Sequence, residues 1–543
     1  MKKELVERLI GKDVKDITYW EKRFPRRPEG MTVTRFAPSP TGFLHIGAIS
    51  TCQINEKLAH QSGGKILLRI EDTDTKREVE GTTTLIIEAF KKFNMFFDEG
   101  PTSDTEQAGE YGPYFQSERK DIYLSGVKYL LEQDWAYPCF STEEELDAIR
   151  KEQTVLKFRT GYYGKWAKYR NFPEEMVEKY LNEGRPFIIR FKSNGDWNNK
   201  RYFDDGIRGK VSMPENDIDI VIMKSDGLPT YHFAHVMDDH LMGTTHVIRS
   251  DEWLASLPLH VQMFETIGFE TPKYVHLSPI QKLDDGNRRK LSKRKDPEAN
   301  VEFYLQEGYP VEAVKEYLMN IANSDFEEFR KENPVNAVEK FELKIDKLNN
   351  SGALLDFLKL DSVAKEYIST LSSTELFDKL LNWAKEYDTD FAKLMENEET
   401  YIKSILAIER DGVEKVRKDF YIYSKIKEEI NYFFSEKFSF DPKEFPISLE
   451  NAREIIEAYK KIYSHEDVKE DWFPKVKDLA EKLGYAKNPK ELAKNPEAYK
   501  GTVSDVACVI RVLITGRTQS PDLYTIMQIL GKEETLKRLN AKF

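Results

Sequence analysis

A chain of 543 residues with 40% hydrophobic and 32% charged residues is too long for one core and divides into about three to five domains of ordinary size. Its longest apolar runs, such as residues 218–223, fall far short of the ~20 residues that cross a bilayer. Residues 1–10 alternate charged with apolar side chains, so a cytoplasmic protein with no membrane partner is expected. The net charge of −12 leaves a nucleic-acid partner open, because counter-ion release depends on local lysine and arginine stripes rather than on the whole-chain sum. Cys52, Cys139 and Cys508 lie too far apart for a disulfide framework or a four-thiolate zinc site; they read as small buried hydrophobes.

Residues 1–30 form an extension, a short amphipathic helix followed by the breaker-rich Phe24-Pro-Arg-Arg-Pro-Glu-Gly30. Residues 33–36 read as a strand, two prolines and Gly42 force a turn, and the apolar period over 44–58 predicts a helix. A strand at 65–70, a helix over 81–93 and a polar loop over 97–112 complete one half of a doubly wound parallel sheet. The alternation then breaks. Helix-like runs at 119–133 and 143–152 and strand-like runs at 187–192 and 217–223 read as an inserted domain. The sheet resumes with strands at 230–233 and 245–249, a helix over 254–266 and a strand at 274–277. Beyond Pro297 the chain is dominated by helix-period segments, among them 363–386, 449–464 and 503–515. The expected fold is an α/β doubly wound, Rossmann-like catalytic domain split by an insertion and followed by a mostly α-helical C-terminal half.

Three motifs carry chemistry. Arg35-Phe-Ala-Pro-Ser-Pro-Thr-Gly-Phe-Leu-His-Ile-Gly-Ala48 feeds a strand into a helix, whose N-terminal N–H groups and dipole favour phosphate. His45 adds a donor there, and Gly47, with no side chain, lets a flat base approach. Arg288-Arg-Lys-Leu-Ser-Lys-Arg-Lys295 is either a solvated basic face or a pair of ammonium groups, Lys290 and Lys293, on a mobile loop, Asp284-Asp-Gly-Asn287, that closes on a triphosphate. Arg69-Ile-Glu-Asp-Thr-Asp74 could be an acidic strand end or a weak cation loop. His232, His235, Asp238, Asp239 and His240 also allow a metal reading, but on a strand His232 and His235 would point to opposite faces, and no metal site is expected.

The first two motifs resemble the His-x-Gly-His and Lys-Met-Ser-Lys-Ser signatures of the class I aminoacyl-tRNA synthetases, with Lys290 and Lys293 on the two lysines and Ser292 between them. The Ala-Pro-Ser-Pro-Thr-Gly lead-in and Arg-Ile-Glu-Asp-Thr-Asp are similar to the glutamyl-tRNA synthetases in particular. The resemblance implies that His45, Gly47, Lys290, Ser292 and Lys293 act on ATP, with Trp253 and Leu291 beside the nucleotide. It implies that Glu71 holds the ammonium group of L-glutamate, and that Arg35 and Arg249, with Ala37, Ser39 and Tyr231, form the pocket for its carboxylate side chain, since a guanidinium fork can meet two oxygens. Magnesium would enter with ATP; no structural zinc is expected, because Cys139-Phe-Ser141 has only the first thiol of a Cys-x-Cys. Ala48 stands where the class as a whole often has a second histidine, although glutamyl enzymes commonly carry a small residue there; Ser50 and His235 stand where many glutamyl enzymes have an arginine and an asparagine.

Arg511-Val-Leu-Ile-Thr-Gly-Arg-Thr-Gln-Ser-Pro-Asp-Leu523 resembles the helical anticodon-binding domain of bacterial glutamyl enzymes, which puts Arg511, Ser520 and Pro521 against tRNA(Glu); Arg410 is the nearest basic candidate for telling glutamate from glutamine anticodons. The division implied is an extension over 1–30, a catalytic domain over 31–113 and 229–297, an acceptor-binding insertion over 114–228, a stem-contact domain over 298–365 and an anticodon-binding region over 366–543. The expected enzyme is a monomer that activates glutamate with tRNA bound. Two alternatives stay open: a glutaminyl-tRNA synthetase, and a catalytically idle paralogue that only binds tRNA.

Overall fold

The computed structural model describes residues 1–40, 42–74 and 81–543; Thr41 of the first motif lies outside them. The chain forms two compact units, one of residues 1–303 with 315–356 and one of residues 304–314 with 357–543.

In the first unit, β1 (Val33–Phe36) and β2 (Lys65–Leu68) pair in parallel around the crossover helix α1 (Ile46–His60). Val33, Ile66, Leu67 and Leu68 are fully enclosed, as parallel strands covered on both faces must be. The second half repeats the plan. Helix α2 (Tyr231–Leu241) leads to β3 (His246–Ser250), helix α3 (Leu257–Ile267) crosses over, and β4 (Lys273–Leu277) pairs with β3 in parallel. The two halves are joined where Thr245 N donates to Val33 O at 2.9 Å and Val33 N to Thr245 Oγ1 at 2.9 Å. The carboxyl ends of β1 and β3 are therefore neighbours, the place where open α/β sheets bind ligands.

Within 114–228, an antiparallel sheet of Ala136–Cys139, Ile188–Phe191 and Val221–Met223 packs beside the helix Lys120–Glu132. The hairpin Lys200–Asp205 and Gly209–Pro214 leaves this sheet and extends the edge of β4 through Asp205 and Tyr274. Residues 1–30 form two helices, Lys3–Ile10 and Ile17–Arg23. Leu5 joins the aromatic core of the insertion, whereas its neighbour Val6 joins the core that holds Val33, Leu67 and Met237.

Three expectations are corrected. Residues 230–233 are not a strand: Thr230 is the N-cap of α2. Phe233, Val236, Met237 and Leu241 are all buried at helical spacing, but His235, Asp238 and Asp239 are buried too, so no polar face marks the period. The supposed mobile loop 284–287 is the tip of a hairpin, β5 (Gln281–Asp284) with β6 (Asn287–Lys290). Asp285 and Gly286 sit at φ +48° and +80°, the left-handed pair that a two-residue hairpin turn requires and Asp-Gly supplies. The helix expected over 363–386 is two helices, Phe357–Ser369 and Ser373–Tyr387, because Ser372 and Glu375 form a capping box that starts the second afresh.

The regular elements of the second unit are all helices among the described residues. It includes α4 (Val503–Thr515), coincident with the predicted span, and α5 (Leu523–Leu539), whose N-cap Asp522 accepts from Thr525 N. Among the described residues no helix is long and apolar enough to cross a membrane.

Candidate active site

A cavity of about 710 Å³ opens at the carboxyl ends of β1 and β3. It is lined by Arg35, Ala37, Ser39, His45, Gly47, Glu71, Tyr231, Arg249, Trp253, Lys290, Leu291, Ser292 and Lys293. Every residue that the sequence suggested for amino acid or nucleotide lines this one cavity. The fold accounts for it: Arg35 ends β1, Glu71 follows β2, Arg249 ends β3, and the basic motif begins in β6 and runs past it.

His45 is the N-cap of α1, and its Nδ1 accepts from Gly47 N at 2.9 Å. That bond places the ring proton on Nε2, which is buried without a partner among the described residues. Burial holds the imidazole below its ordinary pKa against an opposing contact with the Leu291 backbone, so the ring that lines the cavity is neutral and carries its proton on Nε2. Gly47 has a second role that the sequence did not suggest: a Cβ there would lie 3.0 Å from His45 Nδ1, so the missing side chain seats the ring.

Behind Arg35 and Arg69 stand two buried carboxylates, Asp238 and Asp239. Asp239 accepts from Arg35 Nε at 3.2 Å and from Arg69 Nη1 at 2.7 Å, and His235 Nδ1 lies 2.8 Å away. Asp238 accepts from Arg119 Nε, Gln116 Nε2 and Tyr123 OH at 2.7–2.9 Å. Both carboxylates thus serve as counter-ions to guanidinium groups. His232 and His235, three residues apart on α2 rather than on opposite faces of a strand, both turn toward His260: His232 Nδ1 is 2.9 Å from His260 Nε2, and the rings of His235 and His260 are centred 4.5 Å apart. Burial pushes His232 down to about 4 and His235 to about 3, so this cluster is uncharged at neutral pH.

Arg35 spends only Nε on Asp239, and its terminal nitrogens make no hydrogen bond among the described residues. Arg249 is more committed. Its Nε donates to His276 Nε2 at 3.0 Å, Nη1 to His260 Nδ1 at 3.2 Å and Tyr231 OH at 3.4 Å, and Nη2 to Trp253 O at 3.3 Å. One N–H of its five is left for a ligand, so Arg35 offers the open fork and Arg249 a single directed donor. Glu71 receives only a long contact from Arg69 Nη2, 3.4 Å, and burial raises its pKa to about 7 against the opposing pull of Arg69 and Arg35.

In the basic motif, Leu291 N donates to Ile280 O at 3.1 Å and Ser292 N to Asp296 Oδ2 at 2.8 Å. Asp296 also receives Arg289 and Lys282, and Arg289 above all holds its carboxyl far below the ordinary range. Arg289 therefore pins the turn while Lys290 and Lys293 project from it. Lys290 pairs with Glu252, and Lys293 Nζ donates to Phe43 O at 3.0 Å. Trp253, 37% exposed, lies against Tyr231 with ring centres 4.3 Å apart.

Sequence reasoning missed Arg69, Asp205, His260, His276 and Asp296 as parts of the site. Each acts through another residue, and only Arg69, which opens the motif over 69–74, and Asp296, directly after the basic run, gave a signal. In the second unit, Arg511 Nε donates to Ser520 Oγ at 3.1 Å, which in turn donates to Pro521 O at 2.9 Å, so these three residues form one surface feature between α4 and α5. Arg410 is elsewhere. It is 5% exposed and donates to the carbonyls of Ile368, Leu371 and Leu406, which makes it a cap for a helix end rather than a reader of bases.

Comparison with known proteins agrees with this geometry. Residues 31–352 match the family described as tRNA synthetases class I (E and Q), catalytic domain, and residues 375–542 match an anticodon binding domain. The chain is 49% identical over 528 residues to a glutamate–tRNA ligase of Clostridium perfringens, covering 96% of each chain. It is 47% identical over 542 residues to one of Acetivibrio thermocellus, covering 99% of each. The crystal structure of a glutamate tRNA ligase from Elizabethkingia meningosepticum superposes with a TM-score of 0.74 at 30% identity, over 94% of this chain and 98% of that one. With a catalytic-domain match over more than half its length and relatives 47–49% identical over nearly the whole chain, the chain belongs to the class I tRNA synthetases of the glutamate and glutamine branch.

Proposed function

We infer that the cavity is where this chain, a glutamate–tRNA ligase, joins L-glutamate to tRNA(Glu) at the expense of ATP. The observation that carries the reading is that an open guanidinium fork, Arg35, a directed guanidinium, Arg249, a carboxylate held only by a long contact, Glu71, and two lysines, Lys290 and Lys293, line one cavity. Glutamate fits that charge pattern. Its side-chain carboxylate meets Arg35 and Arg249 beside Tyr231, Ala37 and Ser39, and its ammonium meets Glu71. The α-carboxylate is left to attack the α-phosphorus of ATP, and pyrophosphate departs in line. His45 Nε2–H and the ammonium groups of Lys290 and Lys293 hold the phosphate oxygens as charge builds on them. The base lies against Gly47, Leu291 and Trp253. A ribose hydroxyl of the terminal adenosine then attacks the glutamyl carbonyl, and AMP leaves with its electron pair. Magnesium arrives with ATP as part of that substrate. In this reading residues 114–228 take the acceptor end, 298–365 the stem, and Arg511, Ser520 and Pro521 the anticodon; the anticodon-domain match over 375–542 supports the last assignment.

Aminoacylation with purified glutamate and glutamine isoacceptors, each offered labelled glutamate or labelled glutamine, tests the reaction. Glutamate is expected on the glutamate isoacceptor and glutamine on neither. Attachment of glutamine, or no attachment at all, would overturn the reading; the names of the full-length relatives favour glutamate.

Glu71 gives the reaction a pH dependence. Arg69, Arg35, Asp239 and Tyr231 face it, and with its pKa near 7 in the free enzyme only the ionised form accepts an ammonium ion. Binding therefore releases a proton, and affinity rises with pH until Glu71 is fully ionised. Titrating glutamate into the enzyme–tRNA complex should show affinity about tenfold weaker at pH 6 than at pH 8. In Glu71→Gln the affinity should be low and flat across that range; a wild-type curve that is already flat would remove Glu71 from the role.

A further inference from the structure

Arg35 and Arg249 are held in different ways. Arg35 Nε contacts the Asp239 carboxylate directly, so part of its charge is already balanced. Arg249 Nε contacts no carboxylate. It donates to His276 Nε2 at 3.0 Å, and behind that ring His276 Nδ1 is 2.7 Å from Asp205 Oδ2. Asp205 is itself fixed: Oδ2 accepts from His276 N at 3.1 Å, and Oδ1 accepts from Ile207 N at 3.0 Å and Arg208 N at 2.9 Å. His276 is fully buried and Asp205 is 4% exposed, so water cannot substitute for either bond.

The bonds determine one tautomer. With its proton on Nδ1, toward Asp205, the ring presents a lone pair to Arg249 Nε–H; with the proton on Nε2, two donors would face each other. A guanidinium is planar, so an acceptor on Nε fixes the plane, and Trp253 O on Nη2 fixes its rotation. The negative charge is kept one imidazole away from the arginine. The arginine is aimed while its charge is left for the ligand, whereas a carboxylate in direct contact would compete with the ligand's own.

We propose that Asp205 and His276 are positioning residues that aim Arg249 at the side-chain carboxylate of the amino acid, and that the hairpin of the inserted region contributes to amino-acid selection by supplying Asp205. The proposal rests on the assignment of Arg249 to that carboxylate made above. It concerns binding rather than chemistry, so its signature is a split between KM and kcat.

The test is steady-state aminoacylation by the full chain with tRNA(Glu) saturating. In His276→Phe the glutamate KM is expected to rise about 10–100-fold, the range for loss of a hydrogen bond to a charged group, with kcat within about threefold and the ATP KM unmoved. His276→Gln, whose amide oxygen can accept from Arg249 Nε, should recover most of that loss. In an Arg249→Ala background His276→Phe should add nothing, because the two act as a unit. A fall in kcat at constant KM, equal damage from Phe and Gln, or additive effects with Arg249→Ala would overturn the proposal. If Arg249→Ala alone leaves the glutamate KM unchanged, the assignment of Arg249 fails first and the proposal with it. Thermal unfolding of each variant separates these results from misfolding. Should His276→Phe not fold, Asp205→Asn decides: a KM rise in the same direction that vanishes with Arg249→Ala supports the proposal, and an unchanged KM sinks it.

Discussion

Replacing Lys293 by alanine should lower the rate of glutamyl-adenylate formation by roughly a hundred- to a thousand-fold, the usual cost of losing one donor aimed at developing charge. The glutamate KM should stay within about threefold, because an interaction made mainly in the transition state leaves ground-state binding alone. The position of the ammonium explains why Lys293 is the more telling of the two lysines. Lys290 is neutralised by Glu252, whereas Lys293 rests on a backbone carbonyl, Phe43 O, at 3.0 Å. A neutral partner is readily exchanged for a phosphate oxygen. Partial burial alone lowers the Lys293 pKa, which favours a partner of opposite charge when one arrives. Rapid-quench measurement of adenylate formation, with tRNA and glutamate saturating, checks this. A variant with the wild-type burst rate would show that the lysine has no part in activation.

Asp239→Ala should be the most destabilising change at the site. It strips the carboxylate from Arg35 and takes from Arg69 the nearest of three, leaving that residue Glu71 at 3.4 Å and Asp238 at 3.7 Å; Arg35 is only 4% exposed, and an arginine left buried without its carboxylate costs about 3–5 kcal/mol. Urea unfolding monitored by tryptophan fluorescence would report the loss. The pH dependence has a definite sign. The folded-state pKa of Asp239 is well below the ordinary 3.8, held there by Arg35 and Arg69 against burial. Its contribution is therefore complete above the unfolded value and is lost only as the pH falls below about 4 toward the folded one. Between pH 5 and 8 the difference in stability between wild type and variant should be constant as far as this group decides it. A difference below about 1 kcal/mol at pH 7 would mean that the two arginines find other partners.

How much was legible in advance differs from residue to residue. His45, Gly47, Lys290 and Lys293 were readable because a phosphate site needs donors at a helix start and cations on a turn, and both leave short motifs. Arg35 and Arg249 were readable as cations but not as a contrasting pair, since the number of N–H groups each has free depends on Asp239, His260, His276 and Trp253. Tyr231 was placed on the right wall but on the wrong element: α2 is enclosed on nearly all sides, so its buried His235, Asp238 and Asp239 removed the polar stripe that announces a helix. The Asp-Gly turn of the β5–β6 hairpin was visible, yet its strands carry Lys and Arg on exposed positions and lack the alternation that marks a strand. Arg410 shows the opposite error: a basic residue near the expected region turned out to be a buried cap.

The sequence by itself determined the doubly wound plan, the insertion, the helical C-terminal half and the residues that line the cavity. The first three follow from local patterns and apolar periodicity, and the cavity residues from motifs that resemble those of the glutamyl-tRNA synthetases. Only the tertiary structure decided what stands behind those residues. Asp205, His276, Arg69, Asp239 and Asp296 are drawn from five separate stretches of chain, and their partners are fixed by the pairing of β1 with β2, of β3 with β4, and of the inserted hairpin with β4. A single ionisable side chain has no periodicity to betray its partner. Which carboxylate meets which guanidinium is set by three-dimensional proximity inside a low-dielectric core, where an unpaired charge is too costly to leave.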